Sequence, residues 1–297
     1  MSDSVEIAGR RVGHDEPSFV VAEVGINHNG DIGLARKLIS AAATAGCDAV
    51  KFQKRTIDVV YSREELERPR ESVFGTTNGD LKRGLELDAD AFSALDEYCR
   101  MHGIVWFSSC WDEASVDFLE RFDPPCYKIA SASLTDDGLL RHHRQYGRPL
   151  ILSTGMSELA EIDHAVEVLG TDDLVLLHTT STYPSQPSEL NLRAMATLRE
   201  RYGVPVGYSG HEVGLATTVA ARALGACVIE RHITLDRAMW GSDQAASVEP
   251  FGFQRLVKDI RAVESAFGDG VKVVYDSEIP VKEKLRRVGL RRVATAN

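Results

Sequence analysis

His211 and His232 each close a short apolar run, in VPVGYSGH and ACVIERH, and Glu23 and Lys51 stand at the ends of two others. If those runs are neighbouring strands, the two imidazoles converge on one point. Two histidines with a carboxylate and open positions suit a divalent first-row metal acting as a Lewis acid. Asp243, in WGSDQAAS just beyond the second histidine, could serve as ligand or base. A strand-end histidine can equally be a hydrogen-bonded residue of the wall. Gln53, Ser108, Ser109, Lys128, Ser131, Ser133, Ser153, Thr154, Thr180, Ser181, Tyr183, Ser209 and Arg231 arrive at the same level. So many cations and hydroxyls form a ring of donors for a small, highly charged anion such as a phosphate or a carboxylate–phosphate. A lysine of lowered pKa forming a Schiff base is the competing chemistry. Two lysines, Lys51 and Lys128, facing hydroxyls with no evident apolar pocket favour the anion. His178 reads as a packed histidine behind the site, and His142 and His143 as solvated on a polar helix.

The elements that must position these groups recur as one phrase: a helix-length amphipathic segment, a glycine, then a short apolar run ending in polar residues. TAGCDAVKFQ, MHGIVWFSS, QYGRPLILST, VLGTDDLVLLHTT, RYGVPVGYSG and ALGACVIERHIT are its instances. The glycines Gly46, Gly103, Gly147, Gly170, Gly203 and Gly225 fit the left-handed position that ends a helix. Continuous apolar runs are expected of parallel strands buried on both faces. With FVVAEVG (Phe19–Gly25) and PPCYKIAS added, eight strand–helix units result, the pattern of an α/β (β/α)8 TIM barrel, whose reactive groups sit at the carboxyl ends of the strands. An open doubly wound sheet is the runner-up, but no GxGxxG follows the first strand.

Asn29 or Asp31 is placed to cap the first helix. Residues 1–15 read as an N-terminal β-hairpin turning at Gly9, a lid on the barrel bottom, and 16–270 as the catalytic barrel. Residues 55–86 are one long insertion after the second strand, and 271–297 form a tail ending in the basic stretch LRRVGLRRV.

A net charge of -10 over 297 residues argues against nucleic acid or an anionic membrane as the main partner. Five scattered cysteines without a CxxC point to reduced thiols in a cytoplasm. No run approaches the roughly 18 apolar residues of a membrane span, and the first residues lack a signal-peptide core.

AEVGINHNGD, DAVKFQK, YKIAS, ILSTGM, TSTYPSQPSELNLR, GYSGHEVG, VIERHITLDR and GSDQAASVEP closely resemble the sialic acid (N-acetylneuraminate) synthases, from about residue 16 to 287. The resemblance implies a phosphoenolpyruvate-dependent transferase that condenses phosphoenolpyruvate with an N-acylmannosamine-type aldose. A divalent metal, Mn2+ or alternatively Mg2+ or Co2+, would be held by His211 and His232. Lys51, Ser109, Lys128, Ser131, Ser153, Ser181, Tyr183 and Ser209 match positions that hold phosphoenolpyruvate. Glu23 matches the carboxylate that handles the attacking water, and Gln53 and Asp243 match positions facing the sugar. VFGTTNGDLKRGLEL is similar to the animal and short bacterial branch, and within it Lys82 and Arg83 could bind a 6-phosphate on the sugar or simply start a solvated helix. A homodimer is implied as the assembly.

Two departures stand out. The family often has Glu or Asp where this chain has Ser133, and serine cannot act as a carboxylate base near neutral pH. Either Glu23 works alone, Asp136 or Asp137 swings in, or the chemistry is altered. Many members also continue into an antifreeze-like (SAF) domain, which is not expected here after 297 residues. These departures motivate two alternatives: condensation with a different aldehyde acceptor, or a barrel that binds phosphoenolpyruvate or a sugar without turnover.

Overall fold

The computed structural model describes residues 4–286 and Val288. By its contacts the chain divides into Met1–Glu264 and Ser265–Asn297. The first unit opens with strands β1 (Ser4–Ile7) and β2 (Arg10–Gly13), an antiparallel hairpin turning at Ala8 and Gly9. The strands that follow are β3 (Phe19–Gly25), β4 (Ala49–Lys54), the short hairpin β5 (Pro69–Ser72) with β6 (Gly75–Thr77), β7 (Val105–Cys110), β8 (Tyr127–Ile129), β9 (Leu150–Ser153), β10 (Leu174–Thr179), β11 (Val206–Gly210) and β12 (Val228–His232). Apart from β5 and β6, these form a closed parallel barrel in the order β10-β11-β12-β3-β4-β7-β8-β9. The expected (β/α)8 barrel is therefore present.

Alternation along each strand divides the apolar residues between two cores. Val20, Ala22, Val50, Trp106, Leu152, Leu176 and Ile229 pack outward against helix residues such as Leu38, Ile39, Phe92 and Phe253. Phe19, Val21, Ala49, Phe107, Ile151, Val175, Leu177 and Val228 point inward, and Val5, Ile7 and Val12 of the hairpin close the floor beneath them. The inward series thus begins apolar at the floor and ends polar at the top.

Local chemistry sets the strand–helix corners. Asp31 caps the helix Ile32–Ala45, accepting from the N–H groups of Gly33 and Leu34, while Asn29 instead donates to the Trp240 carbonyl. Gly46 ends that helix at φ 81°, and Gly203 ends Ala194–Tyr202 at φ 61°, both left-handed. Gly170 also has positive φ but an extended ψ of 173°, so its helix ends by a different turn. The 55–86 insertion is ordered, with helices Ile57–Val60, Arg63–Glu67 and Asn78–Leu85 around the β5–β6 hairpin. It packs so closely on the first turn that a Cβ on Gly30 would lie 2.2 Å from the Gly84 carbonyl oxygen.

The second unit contains a 3-10 turn, Asp276–Glu278, and the helix Ile279–Leu285. The basic stretch at 285–293 lies largely outside the described residues. Among the described residues all five cysteines are buried and unpaired, and no helix is long and apolar enough to cross a membrane.

Candidate active site

The barrel register gathers the polar ends of the inward series into one layer. His232 pairs with Glu23, Glu23 with Lys51, Gln53 with Ser109, Ser109 with Lys128, and Ser209 with Glu230. Above the apolar floor they surround a cavity of about 220 Å3, also lined by Ser131, Ser153, Thr179, Ser181, Tyr183 and His211. Every phosphoenolpyruvate position implied by the resemblance lines this cavity. Gln53 lines it too, donating to Glu23 Oε1 at 3.1 Å.

Lys51 is the centre of its charge arrangement. Its ammonium lies 3.2 Å from Glu23 Oε2 and 3.3 Å from Glu230 Oε1, and all three side chains are buried. Ser209 Oγ donates to Glu230 at 3.1 Å, and Lys128 donates to Ser153 Oγ at 2.6 Å and to the Ile129 carbonyl. Two carboxylates sharing one cation cannot both ionise freely. Burial pushes the Glu23 carboxyl up to about 7, helped by Glu230, with Lys51 pulling the other way. Burial also opposes ionisation of Glu230, but Lys51 and Lys128 outweigh it and hold that carboxyl well below the usual range. The pair is therefore split into an ionised Glu230 and a Glu23 that exchanges a proton near neutrality. Burial lowers the Lys128 ammonium to about 8, while Lys51, held by both carboxylates, is raised.

The two imidazoles face one another with ring centroids 5.5 Å apart, and the Tyr183 ring stacks 4.0 Å from His211. His211 Nδ1 bonds the Thr180 carbonyl at 2.8 Å, which fixes its tautomer and leaves the Nε2 lone pair free. His232 Nδ1 is buried without a hydrogen-bond partner, and Asp243 Oδ2 lies 3.9 Å from it. Burial keeps both imidazoles neutral, His211 down to about 4. Neutral rings with unspent lone pairs fit a metal with two protein nitrogens. Among the described residues no group of three or more His, Cys, Asp or Glu is assembled for one, so further ligands would have to come from solvent or substrate.

Several sequence expectations change here. Strand alternation turns Ser108 and Arg231 outward; Arg231 forms a buried ion pair with Glu212 at 3.2 Å behind the barrel wall. Glu230 takes the inward place, and it was missed although it stands two residues before His232. Trp111 was also missed: it lines the cavity with its indole N–H buried and unpartnered. Asp136 caps the helix Asp137–Arg144, and Asp137 binds His164 and Arg141, so neither reaches in. Ser133 is buried in the turn after β8 and does not line the cavity. His143 is fully buried, bonded to the Leu139 carbonyl and packed edge-on against Tyr127, because its helix face packs on the barrel; His142 pairs with Asp117. His178 bonds the Leu190 carbonyl behind the site. Lys82 and Arg83 part company: Lys82 lines a neighbouring cavity, and Arg83 turns away to Asp58 at 2.5 Å.

Residues 38–272 match the NeuB family. The chain is 39% identical over 282 residues to the N-acetylneuraminate-9-phosphate synthase of Mus musculus, covering 93% of this chain and 79% of that protein. It is 38% identical over 285 residues to the N,N'-diacetyllegionaminic acid synthase of Legionella pneumophila, covering 92% and 80% respectively. Among solved structures, the N-acetylneuraminic acid synthetase of Leptospira borgpetersenii in complex with citrate superposes with a TM-score of 0.84 at 30% identity, over 97% of this chain and 99% of that one. A family match over well more than half its length, on the barrel that carries the polar ring, shows that this chain belongs to the NeuB family of sialic acid and related sugar-acid synthases.

Proposed function

We propose that the chain condenses phosphoenolpyruvate with an N-acylmannosamine-type aldose to give a nine-carbon keto acid and inorganic phosphate. The observation that carries this reading is the single cavity in which Lys51, Lys128 and a ring of hydroxyls face a pair of neutral imidazoles. The cations and hydroxyls suit the phosphate and carboxylate of phosphoenolpyruvate. A divalent cation bound by His211 and His232, Mn2+ in the first instance and Mg2+ or Co2+ as alternatives, would polarise the aldehyde carbonyl.

The chain's own groups carry the rest. Lys51, Lys128, Ser131, Ser153, Ser181 and Ser209 orient phosphoenolpyruvate so that its C3 attacks the aldehyde carbon, forming the C–C bond, while the carbonyl oxygen takes a proton and becomes a hydroxyl. Gln53 and Asp243 hold the sugar. Glu23 accepts a proton from the water that adds at C2, and phosphate then leaves with cleavage of the C–O bond, yielding the ketone. With Ser133 outside the cavity, Glu23 is the one member of the carboxylate pair poised to exchange that proton.

Phosphate release from phosphoenolpyruvate, followed with Mn2+ and a panel of amino-sugar aldoses, tests the reading. Aldose-dependent release that is abolished by chelation and by His211→Ala supports it; consumption of no phosphoenolpyruvate with any aldose overturns it. The alternative of a different aldehyde acceptor would be rejected by best turnover on an N-acylmannosamine. A gain from Ser133→Glu on bound but unreacted substrates would instead support a non-catalytic barrel. The expected assembly is a homodimer, read by sedimentation.

A further inference from the structure

Among the described residues, four side-chain atoms in the wall of the main cavity are buried without a hydrogen-bond partner: Glu23 Oε2, Glu230 Oε2, His232 Nδ1 and the indole nitrogen of Trp111. The first three belong to groups that titrate or can hold a metal. The indole does neither; it can only donate. A buried donor with no acceptor is costly, and on the wall of a substrate cavity the missing acceptor is most simply part of the substrate.

The indole is held firmly where it stands. The Trp111 backbone N–H donates to the Lys54 carbonyl at 3.2 Å, and the next residue, Asp112, accepts from the Thr56 N–H at 2.7 Å and its hydroxyl at 2.8 Å. The exits of β4 and β7 are thereby stapled together around the ring. The Arg55 guanidinium, fixed by Glu86, lies 5.9 Å from the ring centroid. That contact uses the π face, whereas the N–H lies in the ring plane, so the donor stays unspent.

Its place in the barrel indicates what it meets. Trp111 follows Ser109 by two residues, so it stands about 6.6 Å further toward the mouth on the same side of the strand. Ser109 pairs with Gln53 on one side and Lys128 on the other. In the closed barrel β7 lies four places from β11, so Trp111 faces the end that carries His211 across the cavity. The side chains that suit phosphoenolpyruvate gather on β8, β9 and β10. An aldose with its aldehyde carbon at the imidazoles would lie above them, with the substituent on the adjacent carbon turned toward the exits of β4 and β7.

We propose that Trp111 is a specificity-determining residue, whose indole N–H donates to the carbonyl oxygen of an acylamino group beside the reacting carbon of the acceptor. A site built around such a donor rejects an acceptor lacking that oxygen, because the indole is then left unpaired. The proposal rests on the synthase reading of the cavity, and the test separates the two.

That test removes the N–H and keeps the ring. In Trp111→Phe, and in Trp111→benzothienylalanine, where sulfur replaces the N–H in a ring of the same shape, kcat/KM for N-acetylmannosamine is expected to fall about tenfold. The KM for phosphoenolpyruvate should stay within about twofold. Unchanged kcat/KM in the isosteric variant, or a loss that falls on the phosphoenolpyruvate KM, overturns the role of Trp111 and leaves the synthase reading intact. If the wild type turns over no acceptor, the synthase reading fails, and calorimetry with N-acetylmannosamine on the Mn2+-loaded protein decides. Binding about tenfold weaker in the folded isosteric variant upholds the assignment; equal binding, or none to either, overturns it.

Discussion

Lys51 holds Glu23 and Glu230 together, and the difference between those two carboxylates matters more than either alone. Glu230 is kept ionised by two lysines, and its charge is one of the forces that raise Glu23. Glu230→Gln removes that repulsion and leaves Lys51 to Glu23 alone, so the Glu23 carboxyl falls. If Glu23 must be deprotonated to take the proton from water, wild-type kcat/KM declines as pH drops through about 7. In the Gln variant that acid limb moves to lower pH, and the optimum rate drops about 10–100-fold through the loosened Lys51 and Lys128. A pH–rate profile of both proteins checks this; an unmoved limb would remove Glu230 from the account.

At the scale of elements, the outward neighbours of the two histidines make a joint of their own. Arg231 donates to Glu212, to the Gly214 carbonyl and to Thr218, while Glu212 also accepts from Tyr208 and Thr217. Arg231→Met would strand a buried carboxylate and cost about 3–5 kcal/mol, whereas R231M/E212L should recover much of it. Denaturant unfolding of the three proteins measures that difference. His143 makes a second prediction. It stays neutral when folded, down to about 4, against about 6.5 when unfolded. Between those values the unfolded chain binds a proton that the native state does not, so stability falls as pH falls, by about 2 kcal/mol at pH 5. His143→Asn should flatten the stability curve between pH 7 and 5; parallel curves would contradict the assignment.

These elements also show what the sequence made legible. Short apolar runs and glycine-ended helices were readable because a parallel barrel repeats them, and the cap at Asp31 because its chemistry is local. Side-chain direction was less readable. Arg231 and Ser108 were placed inside because they adjoin the polar strand ends, yet stepping back by twos from His232 would have selected Glu230. His143 looked solvated because its neighbours are polar, while burial depends on which helix face meets the barrel. The separation of Lys82 from Arg83 likewise depends on the rotation of a helix within the insertion.

For the whole molecule, a chain of net charge -10 sets Lys51 and Lys128 among the hydroxyls of the main cavity, above an apolar floor. Such focusing draws anionic substrates against the mean field. The central claim is condensation of phosphoenolpyruvate with loss of phosphate by C–O cleavage. It is tested most directly with phosphoenolpyruvate carrying 18O in the bridging oxygen, incubated with an N-acylmannosamine, neutral or 6-phosphorylated, and Mn2+. The account predicts that the label appears in inorganic phosphate, read by its 31P isotope shift, alongside a keto acid with the combined carbon skeleton. Label retained in the organic product, or phosphate released without the aldose, would contradict it.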